Sequence, residues 1–190
     1  GEEKGFVPSP EWKAENEPDD PLWRVGDTYN LSIGQGNFQV TPLQMAIFAA
    51  TLANGGKIME PRIFQEIREG DRVIYEEEKS IKKIVNFSPE NLEVVREGMR
   101  LASEIGTAQA LSGLGVEVAA KTGTAEIGQG ENVDSWFIGY FPYEQPRLAM
   151  AIILEGGKAS NLVGATAAAR QIIQWIEISR PEFLVTSQNL

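Results

Sequence analysis

Apolar residues recur along this chain with two different periods. Between positions 42 and 54, Leu43, Ala46, Ile47 and Ala50 share one side of a 3.6-residue repeat, which predicts a helix. Thr41 suits its N-cap, Pro42 its first turn, and Gln44 completes a capping box, while Asn54-Gly55-Gly56 ends it. A second helix near 89–105 opens at Ser88-Pro89, carries Leu92, Val95, Met99 and Ala102 on one side, and stops near Gly106. A third, over about 164–178, turns Ala165, Ala168, Ala169, Ile172, Ile173 and Ile176 toward a sheet and closes at Pro181; Trp175 is read as packing.

The other period is two. RIFQEI and RVIYEE alternate around Glu69-Gly70-Asp71, a hairpin near 60–78. Residues 116–124 alternate, 135–141 are rich in aromatics, and 147–154 are almost continuously apolar, hence expected to be buried on both faces. Trp136 and Phe137 must point to opposite faces, one to the core and the other to the border of a cleft. Short connections with Gly128, Gly130, Pro142 and Pro146 make these three strands an antiparallel meander packed by the C-terminal helix. Residues 1–30, with four prolines and a run of acids, read as an irregular surface segment pinned by Trp12 and Trp23. SIGQG at 32–36 is a glycine turn. The class is α+β, with no internal repeat and no domain boundary in view.

Composition narrows the chemistry. The 190 residues are 42% hydrophobic and 23% charged, enough for one domain or a large piece of one. Neither cysteine nor histidine occurs, which removes disulfides, Cys/His zinc sites, cysteine nucleophiles and every Ser-His triad. Acid–base work falls to Lys, Asp, Glu or Tyr. A net charge of −10 argues against nucleic acid or an anionic membrane as the main partner. The apolar run Leu148–Leu154 is far too short to span a membrane, and the polar start GEEKGFVPSP has no signal-peptide core, so any anchor is expected outside this sequence.

The stretch AAKTGTAEIG, residues 119–128, carries the sharpest chemical signal. The plainest reading of Lys-Thr-Gly is a strand that exposes a lysine. Its physics offers more. Gly123 leaves room for another backbone to lie along the strand, and an extended peptide can add there as a further strand. Thr122 and Thr124 share a face, so their hydroxyls can hold a carboxylate beside the Lys121 ammonium. The Thr124 backbone N–H suits an oxyanion. Together these fit a peptide with a free C-terminal carboxylate. Glu126 and Gln129 follow closely enough to touch it. The G-x-G pairs at 34–36 and 128–130 read as turns, and Glu76-Glu77-Glu78 as a solvated strand end. No metal and no cofactor is expected.

KTGT followed by SWFIGY resembles the third motif of penicillin-binding proteins and serine β-lactamases. VPSPEWK, GDTYNLSIGQGNFQVTPLQMA, LANGG, VREGM and GTA are similar to the elongation-type class B enzymes, the penicillin-binding protein 2 group, in the family's order and over essentially the whole chain. Asp134-Ser135 before Trp136 is a small departure. The resemblance implies part of a transpeptidase fold and a peptidoglycan D,D-transpeptidase. Such enzymes attack D-Ala-D-Ala stem peptides with a serine, pass the acyl group to an amine, and are acylated by β-lactams. It assigns Lys121, Thr122, Gly123 and Thr124 to the donor-binding strand, and implies an extracytoplasmic, membrane-anchored protein with possible partners in the elongation machinery.

The family also needs Ser-x-x-Lys and Ser-x-Asn before KTG. The literal matches, Ser80 to Lys83 and Ser187 to Asn189, have the wrong settings: a charged segment after a hairpin, and the C-terminus after KTG. The expectation is therefore the C-terminal half of one transpeptidase domain, with the nucleophile in the missing half and no activity alone. Two other readings stand beside it: a non-catalytic peptide-binding or scaffold module, and a D,D-carboxypeptidase or β-lactamase that uses water as acceptor.

Overall fold

A computed structural model describes residues 2–128, 131–160 and 164–185. The chain forms two compact units, residues 1–44 and 45–190.

The first unit is not irregular. It contains α1 (Pro10–Asn16) and α2 (Val25–Ser32). The prolines that read as breakers include a helix start. Ser9 caps α1 by accepting from the Trp12 backbone N–H at 3.2 Å, and Pro10 fills the first position, where its missing N–H costs nothing. Asp27 serves α2 in the reciprocal way: from the third helical position it accepts from the backbone N–H of the N-cap residue, Arg24, at 2.6 Å. Lys13 is buried and donates to both Asp27 oxygens at 2.9 Å, with Asp20 and Glu17 close by. The Asp27 hydrogen bond raises the Lys13 pKa against the opposing effect of burial; the Arg24 N–H and Lys13 hold Asp27 below its ordinary value. Both tryptophans find partners within this unit: Trp12 packs on Phe6 with ring centroids 4.8 Å apart, and the Trp23 indole donates to Thr28 at 2.9 Å.

Helix α3 (Pro42–Ala53) opens with the expected box, Gln44 N–H to Thr41 Oγ1 at 3.1 Å and Thr41 N–H to Gln44 Oε1 at 3.0 Å. Its buried residues are Ala49, Thr51 and Leu52, not the Leu43, Ala46, Ile47 and Ala50 face. Apolar residues run almost around this helix, so period alone does not select a side. The partners do: Leu52 joins a core cluster with Met99, Ala119, Tyr140 and Tyr143. The helix ends at Gly55 and Gly56, both at positive φ, and a Cβ on Gly56 would lie 2.2 Å from the Val85 carbonyl oxygen. Only glycine fits that approach.

Strand β1 (Lys57–Met59) pairs antiparallel with β4 (Ile81–Ile84), which the sequence did not reveal because β4 is short, charged and exposed throughout. Between them β2 (Glu66–Glu69) and β3 (Arg72–Glu76) form the expected hairpin. Helix α4 (Pro89–Glu104) starts as predicted, capped by Ser88 and led by Pro89.

The central element is an antiparallel sheet of β5 (Ala119–Ile127), β6 (Asn132–Phe141) and β7 (Leu148–Lys158), in that order. The strands extend past the predicted ends on the side of the β5–β6 connection. The buried strand is β6; the continuously apolar β7 is only half-buried. Position explains this: β6 has a strand on each side, whereas β7 lies at an edge among the described residues. Alternation assigns the two faces. Ala120, Phe137 and Phe141 pack with Ala165, Ala169 and Ile173 of α5 (Ala165–Ser179). Ala119 and Tyr140 face the α3–α4 side with Leu52 and Met99. Phe137 is thus the core aromatic, and Trp136, on the opposite face, is half-buried. Trp175 is not a packing residue: 56% of it is exposed, as α5 buries the Ala165, Ala169, Ile173 and Ile176 line instead.

Candidate active site

Lys121, Thr122, Gly123 and Thr124 all lie in β5, whose outer edge carries no paired strand among the described residues. Register fixes their faces. Lys121 stands opposite Ile138 and Gly123 opposite Trp136; Thr122 stands opposite Phe137 and Thr124 opposite Ser135. The lysine therefore leaves the sheet on the α3–α4 face and the two hydroxyls on the α5 face. What the four residues share is the open edge, the one place where a ligand can meet cation, hydroxyls and backbone together. A Cβ on Gly123 would meet only the Trp136 Cβ, at 3.3 Å.

On its own face Lys121 borders a cavity of about 260 Å3 lined by Phe48, Leu52, Val95, Met99 and Ile138. Its ammonium donates to the Thr122 carbonyl oxygen. On the other face the Thr122 hydroxyl donates to Thr107 Oγ1 at 2.8 Å. Glu126 follows on β5, exposed; Gln129 falls outside the described residues. A larger cavity of about 650 Å3, bounded by Val116, Pro142 and Glu177, holds none of the Lys-Thr-Gly residues. The polar groups singled out in the sequence lie along β5, which is therefore the candidate site.

The ladder around this edge is braced by groups that period and motif did not single out. Ser135, opposite Thr124, accepts the Ala165 backbone N–H at 2.9 Å and so begins α5; Asp134 accepts from the Gly156 N–H at 2.9 Å. The departure at 134–135 thus consists of two structural acceptors. Arg96 donates to the Tyr140 hydroxyl at 3.0 Å and lies 5.8 Å over its ring, and the Tyr143 hydroxyl donates to Glu97 at 3.3 Å. Burial, with Glu93 and Glu97 nearby, pushes the Tyr143 hydroxyl up to about 12. Glu97 and Arg100 share two 2.8 Å bonds, which hold Glu97 below and Arg100 above their ordinary values.

Ser80 is exposed and donates to Glu60 at 2.9 Å, immediately before β4, and Lys83 stands opposite Ile58 in that strand. The pair is not on a helix. Ser187 to Asn189 lies outside the described residues. Among the described residues, no group of three or more acidic, His or Cys side chains is placed to hold a metal ion, and no helix is long and apolar enough to cross a membrane.

Residues 1–174 match the model of the penicillin binding protein transpeptidase domain. The chain belongs to that family. Across 99% of its length it is 30% identical to the peptidoglycan D,D-transpeptidase MrdA of Acinetobacter baumannii, and covers 30% of that protein. Penicillin-binding protein A of M. tuberculosis, solved as an imipenem acyl-enzyme, superposes with a TM-score of 0.67 at 32% identity, over 76% of this chain and 32% of that one. The Helicobacter pylori penicillin-binding protein PBP2, solved in complex with MreC, gives 0.69 at 26% identity, over 94% of this chain and 32% of that one. This chain thus carries a penicillin-binding-protein transpeptidase fold of the PBP2 type and spans about a third of the length of such relatives.

Proposed function

We propose that this chain supplies the donor-binding strand of a peptidoglycan D,D-transpeptidase. The observation that carries the reading is the KTGT segment on an open strand edge, with a lysine-bordered cavity on one face and the Thr122 and Thr124 hydroxyls on the other. A stem peptide ending in D-Ala-D-Ala adds along β5, where Gly123 lets its backbone approach. Thr122 and Thr124 take its carboxylate, and the Lys121 cation favours that anion from the opposite face. The Thr124 N–H takes the oxyanion that forms when the serine attacks. D-Alanine leaves, and an amine of a neighbouring strand receives the acyl group. A β-lactam enters the same edge as a strained mimic of the donor.

The serine comes from the rest of the domain, outside this chain. Support lies in the settings of Ser80 and Lys83, and in the cavity beside Lys121. There Phe48 and Val95 are about half exposed, an apolar surface that the nucleophile-bearing segment would cover. The chain alone is then inactive. The complete protein works on the extracytoplasmic side of the membrane, anchored by a segment outside this sequence, among elongation proteins of the kind seen with the Helicobacter relative.

The test is acylation by penicillin, followed by intact-protein mass. This chain alone should gain no adduct, and the complete domain one. Lys121→Ala and Thr124→Val should each slow acylation of the complete domain. Unchanged rates would overturn the strand's role, and a stoichiometric adduct on this chain alone would return Ser80 to consideration.

A further inference from the structure

One contact at the site has no part in the reading above: the hydrogen bond between Thr122 and Thr107. Thr107 lies past the end of α4, and its position is built rather than incidental. The Ile105 and Gly106 N–H groups both donate to the Leu101 carbonyl, at 2.9 and 3.1 Å, and the Ala108 N–H donates to the Ala102 carbonyl at 2.9 Å. Gly106 presses against the helix so closely that a Cβ there would be 2.9 Å from the Ala102 Cα. Ala108 is fully buried in the same cluster as Ala120 and Phe137, of which the former lies two residues before Thr122 and the latter opposite it. Both hydroxyls are therefore carried on parts of one core, and 2.8 Å is the separation that core imposes.

We propose that Thr107 is a positioning residue for the donor carboxylate, acting through Thr122. The inference rests on the transpeptidase reading of β5. Each hydroxyl has one proton and can donate once while still accepting. In the structure the two hydroxyls share one hydrogen bond, donated by Thr122. With a carboxylate at the strand edge, the Thr122 proton turns to the anion and the Thr107 proton turns to Thr122 Oγ1. No proton changes owner. Two donors in line polarise each other, which strengthens the outer, charge-assisted bond. The contact also holds the Thr122 side chain in one rotamer before the ligand arrives, so less freedom is lost on binding. A valine at 107 keeps the shape and removes both effects; a serine keeps the hydroxyl.

The experiment uses the complete transpeptidase and measures second-order acylation rates by a penicillin with a free carboxylate and by its methyl ester. Thr107→Val should slow the acid by about five- to tenfold, the size of one hydrogen bond between neutral groups, since Thr107 meets the anion only through Thr122. The ester should hardly change, and Thr107→Ser should react with the acid near the parental rate. In a Thr122→Val background, Thr107→Val should have no further effect. An unchanged acid rate in Thr107→Val overturns the proposal. So does an equal fall for acid and ester, which marks a merely structural contact, or a Thr107→Ser variant as slow as the valine. A parental protein that forms no adduct with either compound overturns the transpeptidase reading itself, and the inference with it.

Discussion

Along one β5–β6 ladder, the end at Ala119–Ala120 and the end at Lys121–Thr124 share backbone pairing and little else. At the first end, Ala119, Ala120, Tyr140 and Phe141 are fully buried, and each face of the sheet packs into its own cluster. A residue or two further on, Lys121 and Thr124 are exposed and their neighbours half-buried. The contrast teaches how a polar site gets its precision. Its own side chains make few packing contacts, so their placement is inherited through the strand from a root that packs on both sides.

That view separates the two ends by what their variants should change. The largest effect belongs to the root. Phe141→Ala, which empties a fully buried position, should cost about 3–5 kcal/mol in denaturant unfolding. A cost near zero would mean that the ladder is not anchored there. At the tip, Lys121→Ala should lower penicillin acylation of the complete domain by about 100-fold, as removal of a charge-stabilising group does, with an unchanged melting temperature. A large loss of stability with it would erase the distinction between the ends. Gly139→Ala returns to the root, where the new Cβ would lie 2.6 Å from the Ala119 carbonyl oxygen and 3.0 Å from Phe137. It should cost about 1–3 kcal/mol and slow acylation only as far as β5 shifts.

The smallest effect is in the first unit and depends on pH. Asp27 has a lowered folded-state pKa, so its contribution is present above the ordinary carboxylate value of 3.8 and is lost as pH falls through the folded value. Lys13 has a raised one, so its contribution is present below 10.5 and is lost as pH rises through the folded value. Proteolysis of residues 1–44 should therefore quicken below pH 4 in the parent. Asp27→Asn should weaken that acid dependence without touching the β5 chemistry. An undiminished acid response in Asp27→Asn would assign it to other carboxylates.

What the sequence disclosed follows the same division. Helices with side-chain caps and strands bounded by tight turns were legible, because their signals are local: Thr41 with Gln44, Ser88 with Pro89, and the turn at Gly70-Asp71. The same Ser-Pro signal at Ser9-Pro10 was outweighed by the surrounding prolines and acids, and α1 was missed. The buried side of α3 and the half-exposure of β7 depend on which elements lie alongside, information that no window of the sequence contains. At the site, KTGT was legible as a group, and alternation already required Lys121 and the threonines to leave opposite faces. Thr107 was visible only as part of GTA, since its partner is fifteen residues away.

Ser135 gives the sheet a form of error detection. In β6 it stands opposite Thr124 of β5, and its side chain accepts the first backbone N–H of α5. Were β6 to slip by one residue against β5, every side chain would change face and Ser135 would point away from the helix. The slipped sheet would then have an uncapped helix start as well as Phe137 turned out of its core. A misregistered sheet is thus penalised at two places at once, in the core and at the helix start.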